Sequence, residues 1–276
     1  MTYSGDEQRA SEVAIVIPAR YKSSRYPGKP LALIRGVTGV EKPLIQRSYE
    51  AAIEVDEALP VFVATDDARI ADVAGSFNAA VVMTPESCAN GTERTAAAVA
   101  GLPSDVEIVV NFQGDALLTP RTLVTALIAH MQNDPLCQVA TVAVRCSPSA
   151  YQHLIADQAA GRSGGTTVVL NARNEALYFS KRVIPHILPG SAAEAEPPVL
   201  MHLGLYAYRR TALQRYVETP STQIEELEGL EQLRFLHAGI PVAVVQCDPP
   251  DWDAIELNNP SDLAPIEAIL AARKIV

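Results

Sequence analysis

Residues 13–30 read VAIVIPARYKSSRYPGKP, and this stretch decides both the fold and the place to look for a function. Its first five residues, Val13 to Ile17, are apolar, which predicts a short buried strand that ends at Pro18. Cations and small residues follow at once: Arg20, Lys22, Ser23, Ser24, Arg25, Gly28 and Lys29. Because small residues let backbone amides approach an anion that the cations neutralise, the loop predicts a polyphosphate site. A solvated basic loop is the alternative.

Composition narrows the class of protein. The chain has 276 residues, of which 48% are hydrophobic, enough for one domain or for one domain with a smaller lobe. A formal net charge of −10 argues against nucleic acid or an anionic membrane as a partner. The four cysteines form no C-x-x-C pair, which predicts scattered thiols. Residues 1–12 are polar and are predicted to form a disordered tail rather than a signal peptide, so we expect a soluble cytoplasmic protein.

Apolar runs alternate with helical patterns in the first half of the chain. The predicted strands cover residues 61–64, 79–83, 107–112 and 139–145, and the main helices cover 43–54, 68–76 and 121–133. This spacing is typical of βαβ units and predicts an α/β fold, a mainly parallel sheet flanked by helices. Thr65 or Asp66 is the expected N-cap of the second helix. Ligands bind beyond the carboxyl ends of such strands, so residues 20–29, Asp66 and residues 113–115 should meet at one edge.

The second half of the chain predicts a different arrangement. Successive patterns indicate a loop (147–165), a hairpin (166–171 with 176–180), a second loop (187–198), a strand (199–209), a Glu-rich helix (223–237), a strand (242–246) and a closing helix (260–273). The hairpin predicts a smaller lobe packed over the edge. We expect one domain over residues 13–276, divided into a nucleotide-binding part (13–146), an acceptor and dimer part (147–250) and a closing segment (251–276).

Several side chains in these segments have the chemistry of a site. Asp115 follows a strand and faces the basic loop, so it is a candidate Mg²⁺ ligand, with a helix N-cap as the equal alternative. His202 and Tyr206 share one face of a predicted strand and could contact a second substrate, although a buried structural histidine is the more common case. Glu231 and Gln232 lie on the Glu-rich helix, where exposure to solvent is the default.

Seven motifs occur in order along the chain: IPARYKSSRYPGKPL (17–31), VATDD (63–67), GTER (91–94), NFQGD (111–115), ALYFSK (176–181), HLGLYAY (202–208) and LEQLR (230–234). Each motif alone is weak, but the ordered set resembles the 3-deoxy-manno-octulosonate (Kdo) cytidylyltransferases from residue 13 to the closing helix. The resemblance implies a nucleotide-diphospho-sugar transferase fold and a homodimer. It also implies a Mg²⁺-dependent transfer of CMP from CTP to a small acidic acceptor, Kdo, with release of diphosphate, as in the synthesis of lipopolysaccharide precursors.

The resemblance also assigns roles to residues by position. Arg20, Lys29 and Asp115 would be catalytic, and Asp115 and Asn258 would hold the metal. The expected CTP-binding residues are Ala19, Arg20, Ser24, Arg25, Lys29, Asn90, Gly91, Thr92, Arg94 and Gln113. The expected acceptor-binding residues are His202, Tyr206, Glu231 and Gln232.

The chain departs from the family pattern near the metal and the acceptor. The family has an aspartate at the position of Asn258, a lysine at Thr167, a serine at Asn90 and Glu-Pro after the Gln-Gly-Asp motif, where this chain has Ala116 and Leu117. An amide oxygen binds Mg²⁺ more weakly than a carboxylate. These departures keep three alternatives open. They are CMP transfer to a compact acid such as phosphonoformate in natural-product biosynthesis, a CTP-binding homologue without catalysis, and a uridylyl- or guanylyltransferase.

Overall fold

A computed structural model of the chain describes residues 12–22, 26–188, 196–252 and 256–276. Its strands are β1 (Val13–Ala19), β2 (Leu33–Arg35), β3 (Glu41–Pro43), β4 (Val61–Thr65), β5 (Ala80–Met83), β6 (Ile108–Asn111), β7 (Val139–Arg145), β8 (Thr166–Leu170), β9 (Ala176–Ser180), β10 (Leu200–Arg209) and β11 (Val242–Cys247). Its helices are α1 (Leu44–Ile53), α2 (Ala68–Ser76), α3 (Gly91–Ala98), α4 (Arg121–Asn133), α5 (Pro148–Ala159), α6 (Arg210–Glu218), α7 (Gln223–Glu228), α8 (Leu233–His237) and α9 (Leu263–Ala272).

One mixed sheet organises the described residues. Its main path runs β11-β7-β10-β6-β1-β4-β5, and the β8–β9 hairpin joins it through β10. The β6-β1-β4-β5 portion is parallel, whereas β10 runs antiparallel to both β6 and β7. This arrangement confirms the predicted α/β fold with a mainly parallel part and a smaller hairpin lobe.

Strand β1 lies inside the sheet, between β6 and β4, and is buried along its whole length. Ala14 and Val16 pack into one apolar core, which also contains residues of α3, α6 and α8. Ile15 and Ile17 pack into a second core on the opposite face, with residues of α1, α2 and α4. Alternate side chains of one apolar strand thus hold two helical layers against the sheet, which fixes the position of the loop that follows β1.

The predicted end of β1 at Pro18 is wrong, because the strand continues to Ala19. The N–H of Ile15 donates to the carbonyl of Pro60, just before β4. Backbone groups of successive residues in a strand point to opposite neighbours, so the nitrogen of Pro18, three residues on, faces β6. Pairing with β6 ends at Val16 of β1, before the proline that has no N–H to offer, whereas pairing with β4 continues to Ala19.

Three further local predictions are corrected. Residues 147–165 are not a loop, because α5 forms there with Ser147 as its N-cap and Pro148 in its first turn. The predicted helix 223–237 is two helices, because Gly229 has φ +60° and ends α7. Asp67, rather than Thr65 or Asp66, caps α2 by accepting from the N–H of Arg69.

The closing helix, expected from Pro260, begins at Leu263, because residues Pro260–Asp262 form a separate 3-10 turn. The remaining expected elements are confirmed within a residue or two. Gly239 has φ +69° one residue beyond the C-cap of α8, as expected for a C-terminal glycine. The predicted tail lies outside the described residues except for Glu12, and most of the 187–198 loop lies outside them too. None of the helices in the described ranges is long and apolar enough to cross a membrane.

Candidate active site

A cleft of about 1120 Å³ lies beyond the carboxyl ends of β1 and β6. Most of the predicted site residues line it: Ala19, Arg20, Lys29, Asn90, Gly91, Arg94, Gln113, Asp115, His202, Tyr206, Glu231, Gln232 and Asn258. Thr92 is fully buried beneath the residues that line the cleft. The predictions for Ser24 and Arg25 fall outside the described residues. The fold therefore brings together segments that lie more than 200 residues apart in the chain.

One end of the cleft is cationic. Arg20 is exposed and donates a hydrogen bond to the carbonyl of Ala89 at 3.2 Å. Lys29 forms an ion pair with Asp115, and both side chains are 17% exposed. Lys22 does not belong to this group, because it pairs with Glu86 on the exposed surface. Arg20 and Lys29 are therefore the described cations of the loop after β1 that face the cleft.

The turn that carries Asp115 is held tightly against β1. A Cβ added to Gly114 would lie 2.7 Å from the carbonyl oxygen of Pro18, so only glycine fits there. The hydroxyl of Ser48, which is fully buried, donates to the carbonyl of Gly114 at 3.0 Å. These two contacts fix the Asp115 carboxylate beside Lys29. Ser48 was not predicted, because its role depends on a contact between α1 and a turn 66 residues away.

Asn258 lies beside the Asp115 turn. The N–H of Leu257 donates to the backbone carbonyl of Asp115 at 3.4 Å, which brings the 256–258 segment to the cleft. The N–H of Asn258 donates to the carboxylate of Asp262 at 2.9 Å. Glu256 and Asp262 also line the cleft, and sequence reasoning missed both. The signal that could have found them is their spacing around Asn258 in a short acidic segment.

The first turn of α3 forms another wall, and its side chains are engaged within the protein. Asn90 caps the helix by accepting from the N–H of Glu93 at 2.8 Å, and its amide donates to the hydroxyl of Tyr216 at 3.0 Å. Arg94 is 2% exposed, donates to Thr84 and pairs with Asp66 at 3.3 Å. The side chains of Asn90 and Arg94 thus shape the wall, and the backbone at Gly91 faces the cleft.

The other end of the cleft combines uncharged side chains, those of His202, Tyr206 and Gln232, with the carboxyl groups of Glu231 and Glu256. His202 and Tyr206 are 8% and 3% exposed, and burial lowers the pKa of His202 from 6.5 to about 3. Burial raises the pKa of Tyr206, which therefore keeps its hydroxyl proton. Gln232 is 2% exposed, and its Nε2 has no hydrogen-bond partner among the described residues. This end offers hydroxyl and amide groups to a ligand.

Glu231 was expected by default on an exposed helix face, but it lies in the turn between α7 and α8, is only partly exposed and lines the cleft. Its Oε2 accepts a hydrogen bond from the backbone N–H of Thr92 at 3.0 Å. Burial raises the pKa of Glu231, while the bond from Thr92 opposes that rise. The carboxylate therefore connects the segment after α7 to the first turn of α3.

Arg234 is a structural residue of this wall that sequence reasoning missed. Its guanidinium donates to both carboxylate oxygens of Glu225, at 2.8 and 2.6 Å, and to Glu93 at 2.9 Å. Glu93 in turn accepts from the N–H of Ala89 at 2.8 Å. Arg234 is the last residue of the LEQLR motif, which was the available signal.

Comparison with known proteins agrees with this geometry. Residues 14–242 match the family model described as cytidylyltransferase. A 3-deoxy-manno-octulosonate cytidylyltransferase from Maricaulis maris (strain MCS10) is 43% identical over 261 residues, 94% of this chain and 97% of the relative. A structure of CMP:2-keto-3-deoxy-manno-octonic acid synthetase complexed with CTP has a TM-score of 0.80 and 36% identity, covering 95% of this chain and 100% of that one.

A more distant structure supports the fold alone. A cytidylyltransferase from Leptospira borgpetersenii serovar Hardjo-bovis (strain JB197) has a TM-score of 0.60 at 13% identity, with 95% of this chain and 88% of that chain covered. The family match spans most of the sheet and every wall of the cleft except the segment around Asn258. The chain therefore belongs to the cytidylyltransferase family, among the 3-deoxy-manno-octulosonate cytidylyltransferases.

Proposed function

We propose that the chain transfers CMP from CTP to a hydroxyl group of Kdo and releases diphosphate. The observation that carries this proposal is the division of one cleft into two chemically different ends. Arg20 and Lys29 lie at the end that suits a triphosphate, and His202, Tyr206 and Gln232 lie at the end that suits a polyhydroxylated acceptor. Asp115 lines the same cleft beside Lys29. The names of the relatives supply the identity of the acceptor.

The polarity of the end that contains His202 and Tyr206 supports a sugar acid over phosphonoformate. Phosphonoformate is compact and presents mainly the anionic oxygens of its phosphonate and carboxylate groups. A sugar acid presents several hydroxyl donors as well. Glu231 places a carboxylate in this wall, and neutral His202 adds no positive charge. Such a wall accepts hydrogen bonds from hydroxyl groups, and it repels the two adjacent anionic groups of phosphonoformate more strongly than the single carboxylate of Kdo. The comparisons likewise give no support to the phosphonoformate or the non-catalytic alternative.

We propose that Mg²⁺ is held by Asp115 and Asn258 together with the phosphates of CTP. Mg²⁺ is commonly bound by one or two protein oxygens with the remaining ligands from substrate and water. The carboxylate-bearing Asp115 and the amide-bearing Asn258 line the same cleft as Arg20 and Lys29, which fits such a shared site. The bound ion would supply charge neutralisation at the phosphates.

The residues of the chain then have distinct tasks in the transfer. The acceptor oxygen attacks the α-phosphorus, the bond from this phosphorus to the bridging oxygen breaks, diphosphate leaves, and the hydroxyl proton is lost to water. Arg20 and Lys29 would neutralise the triphosphate and the leaving diphosphate. Before CTP binds, Lys29 is paired with Asp115, so binding exchanges a carboxylate for a phosphate oxygen. The contacts around Gly114 keep Asp115 in place during this exchange.

An assay of diphosphate release tests this proposal. We expect release with CTP and Kdo, little release with phosphonoformate, and weak competition by UTP or GTP. Lys29→Met should raise the KM for CTP and lower kcat. Release with phosphonoformate alone would contradict the acceptor assignment. Calorimetric binding of CTP without diphosphate release on either acceptor would favour the non-catalytic alternative.

The homodimer also remains a proposal from the resemblance, and sedimentation equilibrium tests it.

A further inference from the structure

Strand β10 has an irregularity beside the acceptor end of the cleft. In its pairing with β7, Leu203 lies opposite Val142, and the next paired residue, Tyr206, lies opposite Thr141. Two residues of β10 are therefore unpaired, and carbonyl groups at this bulge lose their strand partner. The hydroxyl of Thr141, a fully buried residue, lies 2.7 Å from the carbonyl oxygen of Leu205. Thr141 thus satisfies a carbonyl that the bulge leaves free.

The same hydroxyl lies 2.9 Å from Nε2 of His202. A threonine hydroxyl has one proton, and a carbonyl oxygen can only accept. The carbonyl of Leu203 also lies 3.4 Å from this hydroxyl, so the proton of Thr141 points to a backbone carbonyl, and Leu205 at 2.7 Å is the nearer one. Nε2 of His202 must therefore donate to the threonine oxygen. Neutral imidazole carries one proton, so the Nδ1 atom of His202 keeps a lone pair.

The surroundings of the ring leave Nδ1 available to a ligand. The ring packs against the edge of Phe179, with centroids 5.0 Å apart, and against Tyr206 at 5.4 Å. These contacts fix its plane, and the residue lines the cleft. Within the described ranges, Thr141 is the hydrogen-bond partner of the ring. Burial lowers the pKa of His202 to about 3, which keeps the ring neutral near pH 7.

We propose that Thr141 is a positioning residue that holds His202 as the Nε2–H tautomer, so that Nδ1 accepts a hydrogen bond from a hydroxyl group of the acceptor. The choice of acceptor rests on the proposed function. The tautomer follows from Thr141 and Leu205 alone. An atom that only accepts selects a hydroxyl donor and repels a carboxylate or phosphonate oxygen at the same place. Thr141 therefore contributes to specificity without contacting the substrate.

The tautomer can be measured on the unmodified protein by long-range proton–nitrogen NMR of the full chain with labelled histidines. The chain has five histidines, and the signals that His202→Gln removes identify His202. We expect the shift pattern of a ring protonated on Nε2. Addition of Kdo in the presence of CTP and Ca²⁺, chosen to slow turnover, should shift the Nδ1 signal. A ring protonated on Nδ1, or an Nδ1 signal that Kdo leaves unmoved, would overturn the proposal.

Two variants separate positioning from folding. Thr141→Val removes the hydroxyl at nearly constant shape and should raise the KM for Kdo by about tenfold or more, as for other residues that orient a binding group. The KM for CTP should stay within about twofold in Thr141→Val and in a second variant, Thr141→Ser, since Thr141 lies away from the cationic end. Thr141→Ser keeps the hydroxyl and should restore both the tautomer and the KM for Kdo.

These outcomes distinguish this inference from the proposed function. Equal KM values for Kdo in Thr141→Val and the unmodified enzyme would overturn the role of Thr141, even if turnover is high. If Thr141→Val does not fold, failure of Thr141→Ser to keep the Nε2–H tautomer would overturn it instead. An unmodified enzyme that shows the expected tautomer but no diphosphate release with Kdo would refute the proposed function and, with it, the hydroxyl assignment at Nδ1.

Discussion

Glu231 accepts a hydrogen bond from the backbone N–H of Thr92 at 3.0 Å. This bond joins two segments that sequence reasoning assigned to different substrates, the acceptor segment after α7 and the nucleotide segment at the start of α3. A negatively charged group near the N-terminus of a helix is stabilised by the helix dipole as well as by the hydrogen bond. The two ends of the cleft therefore share one wall, and a change in either segment is expected to affect both substrates.

Asp115→Asn should lower kcat by about 10²–10³, as expected for the loss of one preorganised charged group. The variant should bind CTP in the presence of EDTA at least as tightly as the unmodified protein, because Lys29 loses its carboxylate partner and is free for a phosphate. Calorimetry and diphosphate release measure the two effects. Asp105→Asn changes an exposed loop carboxylate and serves as the matched control. Full activity of Asp115→Asn would exclude Asp115 from the reaction.

Arg234→Met should lower the free energy of unfolding by about 3–5 kcal/mol, because it leaves the carboxylates of Glu225 and Glu93 without their buried cation. The KM for CTP should also rise, since Glu93 holds the backbone at Ala89. Urea unfolding and initial rates measure the two quantities.

The control for this change is Arg162→Met, which removes a more exposed ion pair with Asp157 and should cost less than about 1 kcal/mol. Similar small losses in the two variants would show that the Arg234 contacts contribute little to the wall of the cleft.

Gly114→Ala should destabilise the protein and lower kcat, because the new methyl group would meet the carbonyl of Pro18 at 2.7 Å and push the Asp115 turn away from β1. Gly75→Ala is the matched control, since nothing lies within 4 Å of a Cβ at this position in α2. Alanine should stabilise that helix by up to about 1 kcal/mol. Thermal unfolding and rate assays test the pair, and a Gly114→Ala enzyme with unchanged kcat would contradict the close contact at the turn.

His202 should make the protein sensitive to mild acid. Folding lowers its pKa from 6.5 to about 3, so the unfolded chain binds more protons than the folded one within this window. Stability should therefore fall as the pH drops below about 6.5, by at most about 1.4 kcal/mol per pH unit. His202→Gln removes this contribution and should flatten the curve between pH 6.5 and 5.

Urea unfolding as a function of pH measures this difference. The exposed His153 provides a control, and His153→Gln should retain the slope of the unmodified protein. Parallel curves for the unmodified protein and His202→Gln would mean that His202 titrates alike in the folded and unfolded states.

Much of the fold was predictable because buried parallel strands leave a strong local signal. The apolar residues of β1, β4, β6 and β7 mark their strands directly, and the cations and carboxylates that follow them must meet at one edge of the sheet. Arg20, Lys29 and Asp115 line one cleft, as this pattern predicted, and their roles there stay predictions. Asp66, expected at the same edge, is not among the residues that line the cleft and pairs with Arg94. Helix α5 was missed because its polar and glycine-bearing surroundings outweighed the cap signal of Ser147 and Pro148.

The features that the sequence did not predict depend on contacts between distant segments. Nothing near Thr141 in the sequence indicates that its hydroxyl meets a bulge in β10, 64 residues away. Arg234 and Glu93 are 141 residues apart, and their ion pair exists only because α3 and α8 meet in the folded chain. The hydrogen bond from Thr92 to Glu231 likewise requires that two distant segments meet, whereas a Glu-rich segment by itself favours an exposed helix face.

The most direct test of CMP transfer to Kdo is phosphorus NMR of the purified protein with CTP, Kdo and Mg²⁺. The three CTP signals should give way to one phosphodiester signal and one diphosphate signal. The phosphodiester should couple to carbon of the sugar acid when labelled Kdo is used. Samples without Kdo should keep their CTP signals, and samples with Asp115→Asn should lose them about 10²–10³ times more slowly. Retention of all three CTP signals by the unmodified protein with Kdo, or a phosphodiester without coupling to the labelled sugar acid, would contradict the proposed transfer.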